Sequence, residues 1–146
     1  VSRIALLDVS VLVALFHPDH FHHESAHAWF DANRGGGWAT SPLTENGVVR
    51  ILSNSATMGA HQSAASVRKR LEFFCSSDDH SFWADSISLR DESRFDFTGV
   101  SHRQITDVYL LALAVEHGGR LATLDRSIPA RAVVNAGPES LEIITA

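Results

Sequence analysis

The chain is expected to be an α/β protein, three layers α/β/α around a mostly parallel central sheet. Three features carry that expectation. Short unbroken apolar runs alternate with segments of helical periodicity, glycine or proline turns separate many of them, and one helix is apolar nearly all round.

Ile4-Ala5-Leu6-Leu7 reads as a strand buried on both faces, and it stops at Asp8. Val11 to Phe16 continues apolar with helical character until His17-Pro18-Asp19 turns the chain. A second helix is expected over His23 to Asn33, with Ala26, Trp29, Phe30 and Asn33 on one face and Gly35-Gly36-Gly37 as its stop. Trp38-Ala39-Thr40 forms a short strand. Ser41 followed by Pro42 is a helix-start signal that sets Glu45 in the first turns of a helix anchored by Val48, Val49, Ile51 and Leu52. Gln62 to Phe74 is a further helix with Val67, Leu71 and Phe74 on one stripe. Ile87 and Leu89 alternate with Ser86, Ser88 and Arg90, which predicts a short strand there. Gln104 to His117 is the most apolar helix, stopped by Gly118-Gly119. Arg120 to Thr123 is then a strand closed by Asp125, and Leu141 to Ile144 is the last strand.

One domain spanning residues 1–146 is expected, since 45% apolar residues suffice for an ordinary core. Cys75 is the only cysteine, so no internal disulfide can form. The longest apolar stretches, Val9 to Phe16 and Val108 to Val115, fall short of the roughly 18–20 residues that cross a bilayer. Interruption at Asp8 also makes a poor signal-peptide core. A cytoplasmic, unprocessed protein without a membrane span is the expectation. A net charge of −5 argues against holding nucleic acid by a broad basic surface, yet leaves a nucleic-acid enzyme open, because a bound cation can supply charge at the scissile phosphate.

Open parallel sheets bind ligands beyond the carboxyl ends of their strands. Asp8, Glu45 and Asp125 fall at that rim, and Asp107 lies in the first turn of the most apolar helix. Taken singly, Asp107 and Glu45 are accounted for by the preference of acids for helix starts, and Asp125 by an ordinary turn. Asp8, inside an apolar sequence, needs a partner. Together the four make an oxygen donor set suited to a hard cation such as Mg²⁺ or Mn²⁺, and without a cation they repel one another.

The ordered segments Leu6-Leu7-Asp8-Val9-Ser10, Ser41-Pro42-Leu43-Thr44-Glu45-Asn46 and Ile105-Thr106-Asp107-Val108-Tyr109, with Ala122-Thr123-Leu124-Asp125, resemble the signatures of PIN domains, in particular VapC-type toxins. The resemblance runs from Ile4 to Ile144. It implies a PIN-like fold and a metal-dependent endoribonuclease, the toxin of a toxin–antitoxin pair, held inactive by a cognate VapB-like antitoxin. It also implies Asp8, Glu45, Asp107 and Asp125 as catalytic and metal-binding acids, Mg²⁺ as cofactor with Mn²⁺ as a substitute, and RNA as substrate. Ser10 and Thr123 are expected to orient the carboxylates. A homodimer is expected from apolar helix surface.

Two rivals remain: a catalytically degenerate PIN scaffold, and a phosphatase with Asp8 as nucleophile. Haloacid-dehalogenase-like enzymes carry a second aspartate where Ser10 stands. His17, His20, His22, His23 and His27 are dense, but there is no cysteine pair and His23-Glu24-Ser25-Ala26-His27 falls at an exposed helix start, so they read as solvated surface or as an RNA or antitoxin contact. Gly35-Gly36-Gly37 lacks the spacing of a phosphate loop. Arg103, Arg126 and Arg131 are candidates to grip RNA phosphates at the rim.

Overall fold

The computed structural model describes residues 3–54 and 62–145. Its strands are β1 (Ala5–Leu7), β2 (Trp38–Thr40), β3 (His80–Phe82), β4 (Arg120–Thr123) and β5 (Leu141–Ile143). They form one all-parallel sheet in the order β3-β2-β1-β4-β5. The helices are α1 (Val9–Phe16), α2 (His23–Asn33), α3 (Pro42–Leu52), α4 (Ala64–Phe74) and α5 (Ile105–Glu116).

Register and side-chain alternation divide the core. Leu6 lies opposite Ala39 and Leu121, and these three face the layer that contains α5. Ala5, Leu7, Trp38 and Ala122 point the other way, onto α1, α2, α3 and α4. Short strands buried on both faces therefore read as unbroken apolar runs. Val108 through Ala114 are buried without interruption, which explains why α5 has little polar face. A fully buried leucine there contributes about 1.5–3 kcal/mol, so this helix holds the second layer to the sheet.

Most expected elements appear within a residue or two of their predicted bounds. Helix α1 begins earlier than predicted, at Val9, because the Asp8 carboxylate caps it by accepting from the Val11 N–H at 3.0 Å. Ser41 caps α3 and forms a reciprocal pair of hydrogen bonds with Thr44, with Pro42 at the first helical position.

The strand predicted around Ile87 and Leu89 is an error. Those residues lie in a loop; Ile87 packs against the α5 layer while Leu89 is exposed, so the alternation marks no shared face. The fifth strand is His80–Phe82, a half-polar edge segment with no apolar run to announce it. It is fastened by Asp79. That carboxylate accepts from Arg34 Nε (2.8 Å), the Trp38 indole (2.8 Å) and Ser77 Oγ (2.6 Å), and the Asp79 carbonyl accepts from Trp38 N. These donors, the Arg34 guanidinium foremost, hold the Asp79 carboxyl well below the usual carboxylate range.

Helices α1 and α3 meet at Gly47. A Cβ on Gly47 would sit 2.5 Å from Val9 Cγ2, so only glycine permits this approach at the first residue of α1.

Candidate active site at the carboxyl ends of the strands

From β1 the chain builds outward to β2 and β3 on one side, then returns to lay β4 and β5 on the other. The crevice at such a reversal lies between β1 and β4. Asp8 follows β1 and Asp125 follows β4, so both flank this point, and Asp107 reaches it from the first turn of α5.

Asp8 is 1% exposed, and two hydroxyls and a backbone N–H hold its carboxylate. Oδ1 accepts from Ser10 Oγ and the Val11 N–H, and Oδ2 accepts from Thr123 Oγ1. Both hydroxyls are themselves held by backbone: Leu124 N–H donates to Ser10 Oγ and Asp125 N–H to Thr123 Oγ1. Ser10 and Thr123 thus tie the end of β1 to the turn after β4 and fix the rotation of the Asp8 carboxylate. Burial nevertheless outweighs those hydrogen bonds and pushes the Asp8 carboxyl up.

Asp107 is pushed up to about 7, first by burial and then by the charges of Asp8 and Asp125, and it shares a hydrogen bond with Asp125. A hydrogen bond between two carboxyl groups requires a proton, and Asp107, the raised member of the pair, is the one that takes it up first as pH falls. Asp125 is drawn the other way, chiefly by Ser127, whose N–H and hydroxyl donate to Oδ1 at 2.8 and 2.7 Å. Among the described residues no lysine or arginine forms an ion pair with these three aspartates. They form a negatively charged pocket without countercharge.

Glu45 also stands at the carboxyl end of the sheet, after β2 as its position in α3 predicts, but its contacts lie at the β2/β3 edge. Its Oε2 accepts from Thr40 Oγ1 at 2.8 Å, and its carboxylate groups with Cys75 and His80, their ligand-type atoms all within 4.8 Å of one another. Thr40 has one hydroxyl proton. Since that proton goes to Glu45, the 2.8 Å contact with His80 Nε2 has the imidazole donating to Thr40. Burial lowers the His80 pKa despite Glu45 and Asp79, and pushes the Cys75 thiol up to about 11. Sequence reasoning singled out neither Thr40 nor His80 as part of a site. One signal was available: Thr40 ends β2 as Thr123 ends β4, each a polar residue closing an apolar strand.

The histidine-rich segment is less solvated than expected. His23 Nδ1 lies 2.7 Å from the Ala14 carbonyl and His27 Nε2 3.0 Å from that of Leu15, so two half-buried rings satisfy the last turn of α1. His17 and His20 accept from backbone N–H groups within their turn. Arg103, Arg126 and Arg131 are all exposed. Arg126 follows Asp125 directly, whereas Arg131 lies beside Gly99 and Asp96 in a neighbouring loop.

Comparison with known proteins gives a consistent result. A family model described as PIN domain matches residues 5–134. Ribonuclease VapC39 of Mycobacterium tuberculosis is 45% identical over 125 residues, covering 85% of this chain and 90% of that protein. Ribonuclease VapC44 of the same organism is 40% identical over 141 residues, covering 94% and 96%. The crystal structure of Mycobacterium tuberculosis VapC20, described as a sarcin-ricin loop cleaving toxin, superposes with a TM-score of 0.56 at 17% identity, over 92% of this chain and 99% of that one. At that identity the match speaks for the fold.

Proposed function

The chain belongs to the PIN-domain family, and from that premise we propose that it is an endoribonuclease, the toxin of a toxin–antitoxin pair, acting as one domain over residues 1–146. The observation that carries the reading is the gathering of Asp8, buried, with half-buried Asp107 and Asp125, short of positive charge and with the Asp107 carboxyl pushed up to about 7. Relatives of 40–45% identity bear the name ribonuclease, and the likeness extends over most of both chains.

Mg²⁺, with Mn²⁺ as a substitute, fits the pocket. Its donors are carboxylate oxygens, which suit a hard cation, and the crowding that raises Asp107 is what a divalent ion relieves. Asp8 and Asp107 would hold the ion, with Asp125 and Glu45 completing the set. The chemistry such an ion supplies when bound is an activated water and neutralised charge at the phosphate. The chain's residues do the rest. Ser10 and Thr123 keep Asp8 in one orientation, Ser127 keeps Asp125 ionised, and Asp107 gives up its proton when it becomes a ligand. Arg126 is placed to meet an RNA phosphate at the rim.

The reading extends to a VapB-like antitoxin. An apolar trough of about 630 Å³, floored by Leu15, Phe16, Phe73 and Phe74 and edged by Arg34 and Arg70, suits its apolar segment. A cation from the same segment, an arginine by its planar fork, would pair with the aspartates and compete for their oxygens. A homodimer and a cytoplasmic setting belong to the same proposal. No helix among the described residues is long and apolar enough to cross a membrane.

The test is cleavage of total RNA by the purified chain with Mg²⁺ or Mn²⁺, with EDTA, and with Asp107→Asn. Metal-dependent cleavage lost in the variant is the expected outcome; equal cleavage by the pure variant rejects the site. Co-expression with the product of the adjacent small gene tests the partner, and a complex with undiminished activity rejects it.

A further inference from the structure

We propose that Glu45, Cys75 and His80 form a second metal site, for zinc or a similar borderline divalent ion, whose occupancy restrains the nuclease by holding Glu45 at the β2/β3 rim. The inhibitory half of this proposal rests on the ribonuclease reading; the site itself does not.

Three separate elements deliver the ligands. Glu45 comes from the first turn of α3, Cys75 caps the carboxyl end of α4, and His80 opens β3. A carboxylate oxygen, a thiol sulfur and an imidazole nitrogen lie within 4.8 Å of one another, all half-buried. Zinc takes this mixture, with bonds of about 2.0–2.3 Å, and three protein ligands leave a fourth position open. The aspartate pocket offers oxygen alone, so the two rims differ in the ion they select. The backbone under the site is well held. Asp79 anchors the start of β3 to Arg34 and Trp38, and the Trp38 ring packs against His80 with centroids 4.6 Å apart.

Thr40 occupies the centre, linking Glu45 Oε2 and His80 Nε2 at 2.8 Å each. It keeps the unliganded cluster satisfied and brings its members together. When the ion binds, Cys75 yields its proton to solvent, and His80 binding through Nε2 carries its ring proton on Nδ1, so the imidazole stays neutral. Glu45 exchanges the threonine hydroxyl for the ion. While it does so it is unavailable to the aspartate pocket one strand away.

Cobalt(II) is the probe, because a thiolate bound to it gives a charge-transfer band in the near ultraviolet. The wild type and Asp107→Asn should both show the band on titration, and added zinc should bleach it. Cys75→Ser should lose the band. His80→Gln should weaken cobalt binding by more than the roughly 10–100-fold cost of losing an outer partner. Circular dichroism checks that each variant is folded. Zinc should inhibit RNA cleavage by the wild type in excess Mg²⁺ and leave Cys75→Ser active. No band in folded wild type, or a cobalt affinity in both folded variants equal to that of the wild type, overturns the site. A band with zinc-insensitive cleavage overturns the restraint. Absence of cleavage under all metal conditions would instead fall on the ribonuclease reading, with the band still deciding the site.

Discussion

The crevice between β1 and β4 and the edge formed by β2 and β3 share one plan. In each, an apolar strand ends in a wholly buried threonine whose hydroxyl donates to an acid outside that strand, Thr123 to Asp8 and Thr40 to Glu45. The neighbours of the two acids differ. The crevice gathers two more aspartates and no countercharge, so burial and repulsion push the Asp107 carboxyl up to about 7. The edge gathers a neutral imidazole and a thiol, groups that add no negative charge of their own beside Glu45. A strand-end hydroxyl orients an acid; the company of that acid decides whether the rim demands a cation.

The largest effect should come from removing a charge in the crevice. Asp107→Asn is expected to lower RNA cleavage by more than about 100-fold, beyond the cost of losing an outer partner, while melting changes little. Glu45→Gln should cost less, because its carboxylate contacts lie at the other rim. Equal losses in the two variants, measured as kcat/KM, would merge the rims into one functional unit.

The threonines test the parallel directly. Thr123→Val removes the hydroxyl donor to Asp8 Oδ2 and should cost cleavage about 10–100-fold. Thr40→Val should cost less. A reversed order would mean that the edge, not the crevice, carries the chemistry.

Acidity distinguishes the two regions next. Asp107 titrates higher in the folded chain, about 7, than the ordinary value near 4 expected on unfolding. Its contribution to stability is therefore fully present below that ordinary value and is lost as pH rises through 7. In EDTA the melting temperature should fall between pH 5 and pH 8. Mg²⁺ binding must displace the same proton, so the stabilisation it gives should grow over that interval. A melting temperature in EDTA that rises over that interval would remove the raised acid.

The smallest effect is structural. Asp79→Ala leaves the Trp38 indole N–H buried without its acceptor and should cost about 1–3 kcal/mol in denaturant unfolding. Because the Asp79 pKa is depressed in the folded chain, that contribution is present above the ordinary carboxylate range and fades as pH falls through it. The wild type and the variant should therefore converge in stability at low pH.

Much of this was legible in the sequence because apolar runs and glycine stops report burial directly. Ser41-Pro42, Gly118-Gly119 and the run from Val108 fixed helix ends and the order of elements. Asp8 was visible because a lone charge among Leu6, Leu7, Val11 and Leu12 has no other explanation than a built environment. The β3 edge was not legible: His80-Ser81-Phe82 owes its pairing to Asp79 and Arg34, tertiary contacts with no local pattern. Glu45 was placed at the correct end of the sheet, but nothing in linear order reveals that Cys75 and His80 flank it. The histidines of α2 misled for a similar reason, since the carbonyls of Ala14 and Leu15 that they cover are invisible until helices are packed.

The contact at Gly47 carries a consequence for heredity. Val9, which has no room for a neighbouring Cβ, immediately follows Asp8, and a branched side chain in a helix has few rotamers into which to retreat. An alanine at position 47 would shift the start of α1 and with it the carboxylate at the crevice. If the protein poisons its host, surviving colonies would carry changes at Gly47 alongside changes at the aspartates, and the glycine class would regain growth arrest when a second mutation trimmed Val9 to alanine.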